Sequence, residues 1–158
     1  MTLKLAEANR AVEAALAKAG QLGIQISVSV CDAYGHLVAH QRMDGAFAGA
    51  THGSIGKAIC AAETGSPSGE ASAKTVDHPL TALLHAGGAP FIQRRGGLPI
   101  FRGGESAGGI GVSGAPTNEQ DEECARAGSE ALASEGYASG NSGPGRGQPR
   151  PADPGEGR

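Results

Sequence analysis

The spacing of hydrophobic residues at the start of the chain predicts a helix followed by a strand. Apolar residues recur every three or four positions from residue 5 to residue 22, as on one face of a helix, and Gly23 is a suitable stop. From residue 24 to residue 31, apolar and small polar residues alternate, which predicts a strand with one apolar and one semi-polar face. Asp32–Gly35 is typical of a hairpin turn, and the return strand is predicted over residues 37–43.

The rest of the chain predicts further helices and short strands. A second helix is predicted over residues 49–63, and the last helix begins at the capping box that runs from Thr117 to Gln120. The segments between them are predicted as one short helix and three strands, near Leu80–His85, Phe91–Gln93, Leu98–Phe101 and Glu105–Val112. This order implies a mostly antiparallel sheet with helices packed on it.

The end of the chain has a different composition. Residues 136–158 contain seven glycines and four prolines, with almost nothing apolar after Tyr137. Such a stretch buries too little surface to offset the entropy of ordering it, so we expect a disordered tail. The predicted folded unit is a single domain over residues 2–135.

Composition and charge exclude several classes of function. The net charge of -3 and an aromatic content of 3% disfavour nucleic-acid binding, which needs a basic surface or stacking side chains. No apolar run approaches the roughly 18 residues of a membrane span, and residues 1–7 lack the pattern of a basic region followed by an apolar one, so we expect no signal peptide. The three cysteines match neither a metal motif nor a disulfide framework. We therefore expect a cytoplasmic protein without a nucleic-acid or membrane partner.

Several segments, in the same order along the chain, resemble the GlcG/HbpS-like family. They are Val28–Leu37, Arg42–Gly45, the helix residues Ser54, Lys57 and Ala58, Gly96–Ile100, Gly108–Gly114 and Glu119–Asp121. The resemblance implies an α/β (α+β) profilin-like fold, with a five-stranded, mostly antiparallel sheet flanked by helices, and a homo-oligomer. Relatives include haem binders linked to haem degradation or redox sensing, domains attached to corrinoid enzymes, and members of glycolate-utilisation operons.

The histidines are the candidate ligands for haem iron or another metal. His36 and His40 lie four residues apart on one strand, about 13 Å, so they cannot share a metal ion. We expect an axial ligand among the other three histidines, with a solvated surface position as the alternative for each: His52, His78 and His85.

A second set of residues is suited to binding a carboxylate. Arg42 and Lys57 are expected to converge on one anion, either a haem propionate or an organic acid. The other members of the predicted ligand site are Asp44, Gly96, Gly97, Ser113 and Asp121. The alternative is that Arg42 pairs with Asp44, or Lys57 with Asp121, and that the glycines serve turns alone.

These candidates support more than one function. The leading interpretation is a small-molecule binding protein whose preferred ligand is haem or another tetrapyrrole. The alternative is a cofactor-independent lyase, isomerase or cyclase acting on a carboxylate-bearing small molecule. In that enzyme Lys57 or Asp44 would perform the acid–base chemistry and Arg42 would anchor the substrate. A third possibility is an oligomeric accessory protein without a ligand.

Overall fold

The computed structural model describes residues 2–70, 82, 86–88 and 90–139. Three long helices and five strands form the α+β fold that the sequence predicts. The helices are α1 (Leu5–Leu22), α2 (Gly49–Thr64) and α3 (Asn118–Glu130), and a short 3-10 helix covers Ala133–Glu135. The strands are β1 (Ser27–Asp32), β2 (Leu37–Arg42), β3 (Gly97–Arg102), β4 (Glu105–Ser113) and β5 (Tyr137–Ser139).

The five strands form one sheet in the order β2-β1-β4-β3-β5, and every neighbouring pair is antiparallel. Strand β2 is one edge of the sheet. The pairing of β1 with β2 contains an irregularity between Val30 and Cys31, so that Ser29 lies opposite His40 and Cys31 lies opposite Leu37. Cross-strand partners share a face of the sheet, so this register decides which β2 side chains lie on which side.

One face of the sheet carries the main hydrophobic core, as the alternation in the sequence predicts. α1 and α3 cover this face with small and medium-sized aliphatic side chains. Its buried members include Ala8, Val12 and Ala15 of α1, Ile26, Val28 and Val30 in and before β1, Ile110 and Val112 of β4, and Cys124 and Ala125 of α3.

The opposite face is covered by α2, which approaches the strands very closely. Ser27, Ser29 and Cys31 of β1 lie on this face and are buried. In β4, a Cβ atom on Gly109 would overlap the carbonyl oxygen of Ala58, and one on Gly111 would overlap that of Ser54. The absence of side chains at these two positions is what lets the α2 backbone rest on the sheet.

The structure corrects two assignments from the sequence. Residues 91–93 are not a strand; the fifth strand is instead Tyr137–Ser139, which pairs with β3. Tyr137 is only 4% exposed and its hydroxyl donates to Glu7 at 2.8 Å, so residues 137–139 belong to the fold and not to a disordered tail. The sequence missed this strand because three residues are too few to show a period. Residues 140–158, and most of the predicted helix at 80–85, lie outside the described residues.

Candidate functional site

Lys57 and Asp121 form a buried ion pair between α2 and α3. Their side chains are 4% and 5% exposed, and Lys57 Nζ lies 2.8 Å from Asp121 Oδ2. Lys57 also donates to the carbonyl oxygen of Val112 at 3.0 Å, and Asp121 accepts from the N–H of Ala115. Burial raises the pKa of Asp121, and the hydrogen bond from Lys57 opposes that shift. The arrangement is the internal ion pair that the sequence left as the alternative for Lys57.

The glycines and the serine of the predicted site pack around this pair. A Cβ on Gly96 would lie 2.9 Å from Lys57 Nζ, and one on Gly97 would overlap the carbonyl oxygen of Lys57. Ser113 is almost buried beneath α2, where a Cβ on Gly53 would overlap its hydroxyl. Gly96 and Gly97 therefore lie against Lys57, and protein atoms fill the space around them.

Arg42 and Asp44 lie elsewhere, at the exposed end of β2. They line an open groove of about 460 Å³, together with Leu16, Gln25, Gln41 and Met43. Lys57 is engaged with Asp121, and no contact between Arg42 and Lys57 occurs in the described part of the chain. The expected convergence of Arg42 and Lys57 on one anion is therefore not observed. No ion pair joins Arg42 to Asp44 either, within the same residues.

Among the predicted histidines, only His52 can be placed. It is exposed on α2, whereas His78 and His85 lie outside the described residues. His36 is also exposed and lies 3.5 Å from Asp32 at the hairpin turn. The structure therefore does not decide whether His52, His78 or His85 is a haem ligand.

Of the three histidines that the structure describes, His40 is the one whose ring is hydrogen-bonded to a buried side chain, although the sequence analysis did not favour it. Its Nδ1 lies 2.8 Å from Ser29 Oγ, and Ser29 Oγ lies 2.7 Å from Ser54 Oγ. Burial lowers the pKa of His40 and the positive charge of Arg42 lowers it further, while the carbonyl of Val28 acts in the opposite direction. The imidazole is half-buried, and the lowered pKa favours its neutral form.

His40 lies on a distinct patch, which we call the His40 surface. Leu37, His40 and Arg42 share one face of β2, because their partners Cys31, Ser29 and Ser27 share the α2 face of β1. Ile59 of α2 packs against the Cys31 cluster and borders this face, and Ile55 lies one turn earlier on the same side of the helix. These two isoleucines are half-buried and Leu37 is 50% exposed, so partly exposed apolar side chains occur on this face of β2 and on the adjoining helix.

Comparison with known proteins decides the family. The sequence profile described as haem degrading protein HbpS-like matches residues 3–130. The chain belongs to the HbpS-like family.

Individual members of the HbpS-like family agree with this assignment. The chain is 32% identical over 132 residues to an uncharacterised 15.0 kDa protein from the dhaT-dhaS intergenic region of Citrobacter freundii, covering 76% of this chain and 84% of that protein. A double mutant of Streptomyces reticuli HbpS superposes with a TM-score of 0.74 at 31% identity, covering 84% and 88% of the two chains. The PduOC protein, crystallised as a haem complex, has a TM-score of 0.72 and 26% identity, covering 83% and 95%.

The described residues of this HbpS-like chain contain neither a cluster of metal ligands nor a membrane-spanning helix. Among the residues that the structure describes, no three or more His, Cys, Asp or Glu side chains cluster in a way that would hold a metal ion. No helix in that same part is long and apolar enough to cross a membrane.

Proposed function

We propose that this protein binds haem or another tetrapyrrole at the His40 surface. His40 would ligate the iron through Nε2, and Arg42 would pair with a propionate. The observation that carries the proposal is the half-buried imidazole of His40, hydrogen-bonded to Ser29 and on the same face of β2 as Arg42. Membership of a family described as haem-degrading, and the haem complex of the related PduOC protein, support the same ligand class.

The donor set at this surface is suited to haem. Iron in haem proteins is commonly held by a single neutral histidine, and the lowered pKa of His40 favours that form. Arg42 lies two residues along the strand, about 7 Å away at ~3.3 Å per residue, on the same face as His40. A guanidinium pairs well with a carboxylate, so one end of a propionate-bearing macrocycle would be fixed by Arg42.

The side chains of this chain would bind and orient the ligand. Ile55, Ile59 and Leu37 offer apolar surface to a flat ring, and burying that surface stabilises the complex. When bound, haem would supply an iron centre able to bind small ligands and to change its oxidation state.

The structure offers less support for the enzyme interpretation. Lys57 is neutralised by Asp121 in the interior, and Asp44 is exposed in the loop after β2. That interpretation needs Lys57 or Asp44 within reach of a substrate that Arg42 anchors. Lys57 is enclosed in its ion pair, whereas Asp44 lines the same open groove as Arg42, so Asp44 is the candidate that the enzyme interpretation keeps.

Haemin titration tests the proposal. We expect a Soret band to develop at one equivalent of haemin per chain, and His40→Ala to weaken binding at least tenfold. His36→Ala is the matched control, because it removes an exposed histidine from the same hairpin. Equal haemin affinity of wild type and His40→Ala would exclude His40 as the iron ligand. The remaining candidates would then be His52, His78 and His85.

A further inference from the structure

A chain of hydrogen bonds connects His40 to the backbone of α2. His40 Nδ1 is 2.8 Å from Ser29 Oγ, Ser29 Oγ is 2.7 Å from Ser54 Oγ, and Ser54 donates to the carbonyl oxygen of Thr51 at 2.9 Å. Ser29 and Ser54 are both fully buried. The chain therefore begins at a half-buried imidazole on β2 and ends inside the helix that covers the sheet.

Counting protons along this chain fixes the direction of each bond. A serine hydroxyl has one proton to donate. Ser54 uses its proton on the carbonyl of Thr51, which can only accept, so the bond between the serines must be donated by Ser29. The proton of Ser29 is then committed, and the remaining bond must be donated by the imidazole. All three bonds form together only when His40 carries its proton on Nδ1.

We propose that Ser29 and Ser54 are positioning residues that hold His40 in the Nδ1-protonated tautomer. In this tautomer Nε2 carries the lone pair and is the ligating atom of the His40 surface. The inference rests on the proposed haem site for its ligand, and it adds which nitrogen binds and what orients it. Histidine ligands in metal sites are commonly oriented in this way, by a partner that accepts from the other ring nitrogen.

Ser27 is buried on the same face as Ser29 but does not take part in the hydrogen-bond chain to His40. Ser27 lies on the same face of β1 and is equally buried, but its hydroxyl has no hydrogen-bond partner within the described residues. Its cross-strand neighbour is Arg42, whereas that of Ser29 is His40. Ser27→Ala therefore removes a buried hydroxyl from the same face without touching the hydrogen-bond chain.

The tautomer can be measured without any ligand. In protein labelled with ¹⁵N-histidine, long-range ¹H–¹⁵N spectra at pH 8 distinguish the two ring nitrogens of a neutral imidazole. We expect Nδ1 of His40 to be protonated in wild type and in Ser27→Ala. In Ser54→Ala the hydroxyl of Ser29 is released to donate to Nδ1, so we expect the population to shift towards the Nε2-protonated form. Ser54 does not contact His40, so this shift would report the relay itself.

Haemin affinity of the same variants completes the test. We expect Ser29→Ala and Ser54→Ala to bind haemin about tenfold more weakly than wild type, within the range found for such partners of metal ligands, and Ser27→Ala to bind normally. Nε2 protonation of His40 in the ligand-free wild type would overturn the inference, even if haemin binds. Nδ1 protonation of His40 in the wild type, with a shift of the tautomer population in Ser54→Ala, would support the relay. If the wild type then fails to bind haemin, that result would count against the proposed function alone.

Discussion

Lys57 and His40 show two ways of placing an ionisable side chain in a small fold. The ammonium of Lys57 is enclosed and has the carboxylate of Asp121 beside it. The imidazole of His40 is only half-buried, and burial together with the charge of Arg42 keeps it neutral. The ammonium of Lys57 is already bound to protein groups, whereas Nε2 of His40 is available to a ligand.

Replacing Lys57 is expected to destabilise the protein rather than to affect a ligand. In Lys57→Met the carboxylate of Asp121 stays buried without its partner, and breaking such a pair costs roughly 3–5 kcal/mol. Lys57→Met/Asp121→Asn removes both charges, and the amide oxygen can still accept from Ala115, so most of the stability should return. Urea unfolding of the two variants measures the difference. A folded Lys57→Met of unchanged stability that binds haemin at least tenfold more weakly would restore the ligand role predicted from the sequence.

Arg42→Ala is expected to raise the pKa of His40. Burial is the first cause of the lowered pKa and remains in the variant, while the charge of Arg42, the second cause, is removed. An NMR titration of His40 should therefore give a midpoint below 6.5 in wild type and an upward shift in Arg42→Ala. Arg10→Ala, which removes an exposed arginine paired with Glu135, should leave the midpoint unchanged. Identical midpoints in all three proteins would mean that the charge of Arg42 does not affect the pKa of His40.

At the scale of elements, the contact of α2 with the sheet determines the site. Gly109 and Gly111 of β4 let the helix rest directly on the strands, which brings Ser54 within 2.7 Å of Ser29. The irregularity between Val30 and Cys31 is equally necessary. If the register at Cys31 and Leu37 continued without it, Ser29 would pair with Ala39, and His40 would point to the other face.

Gly111→Ala is expected to push α2 away from the sheet. The new methyl group would overlap the carbonyl of Ser54 and the backbone of Ala58, which cannot move aside as a flexible side chain would. We expect a loss of about 1–3 kcal/mol in the free energy of unfolding, as for other overpacked interiors, together with weaker haemin binding. Gly20→Ala is the matched control, because nothing lies near its Cβ and alanine favours the helix. Equal stability of Gly111→Ala and wild type would contradict the close packing.

Truncation tests the role of β5. Ending the chain after Glu135 removes Tyr137, which is buried, donates to Glu7 and lies under the guanidinium of Arg102. We expect a loss of at least about 2 kcal/mol, because a large buried side chain is deleted. Ending it after Ser139 should leave the melting temperature unchanged, since residues 140–158 carry no core-forming pattern. A comparable loss in both proteins would place part of the fold beyond Ser139.

At the scale of the whole molecule, several large apolar side chains are exposed. The protein has few aromatic residues, yet Tyr34 and Phe47 are 70% and 62% exposed. Leu37 is exposed beside Tyr34 on the hairpin, and β2 is an unpaired edge of the sheet. Exposed apolar side chains beside a free edge favour association with another copy of the chain.

We therefore expect the protein to form a homo-oligomer at micromolar concentration. Burying the exposed side chain of Tyr34 between subunits would remove apolar surface from water and stabilise the assembly. Size-exclusion chromatography with light scattering measures the mass. We expect Tyr34→Lys to shift the distribution towards the monomer and Leu5→Lys, at a separate exposed position, to have less effect. A monomeric wild type would contradict the expectation.

The sequence by itself determined the elements whose signals are local. The apolar spacing of α1 and its stop at Gly23, the two faces of β1, and the Thr117 cap of α3 all appear in the structure as predicted. Each of these depends on residues within a few positions of one another, so a period or a cap is enough to identify it. The resemblance to the family added the number of strands, whereas their order in the sheet came from the structure.

Only the tertiary structure decided which candidate residues meet. Lys57 is 64 positions from Asp121, and Ser29 is 25 positions from Ser54, so no local pattern could pair them. The importance of His40 depended on a single irregularity in the register of β1 and β2, which moves a side chain from one face of the sheet to the other. Strand β5 formed for the same reason: three residues acquire a structure only because β3 offers them an edge.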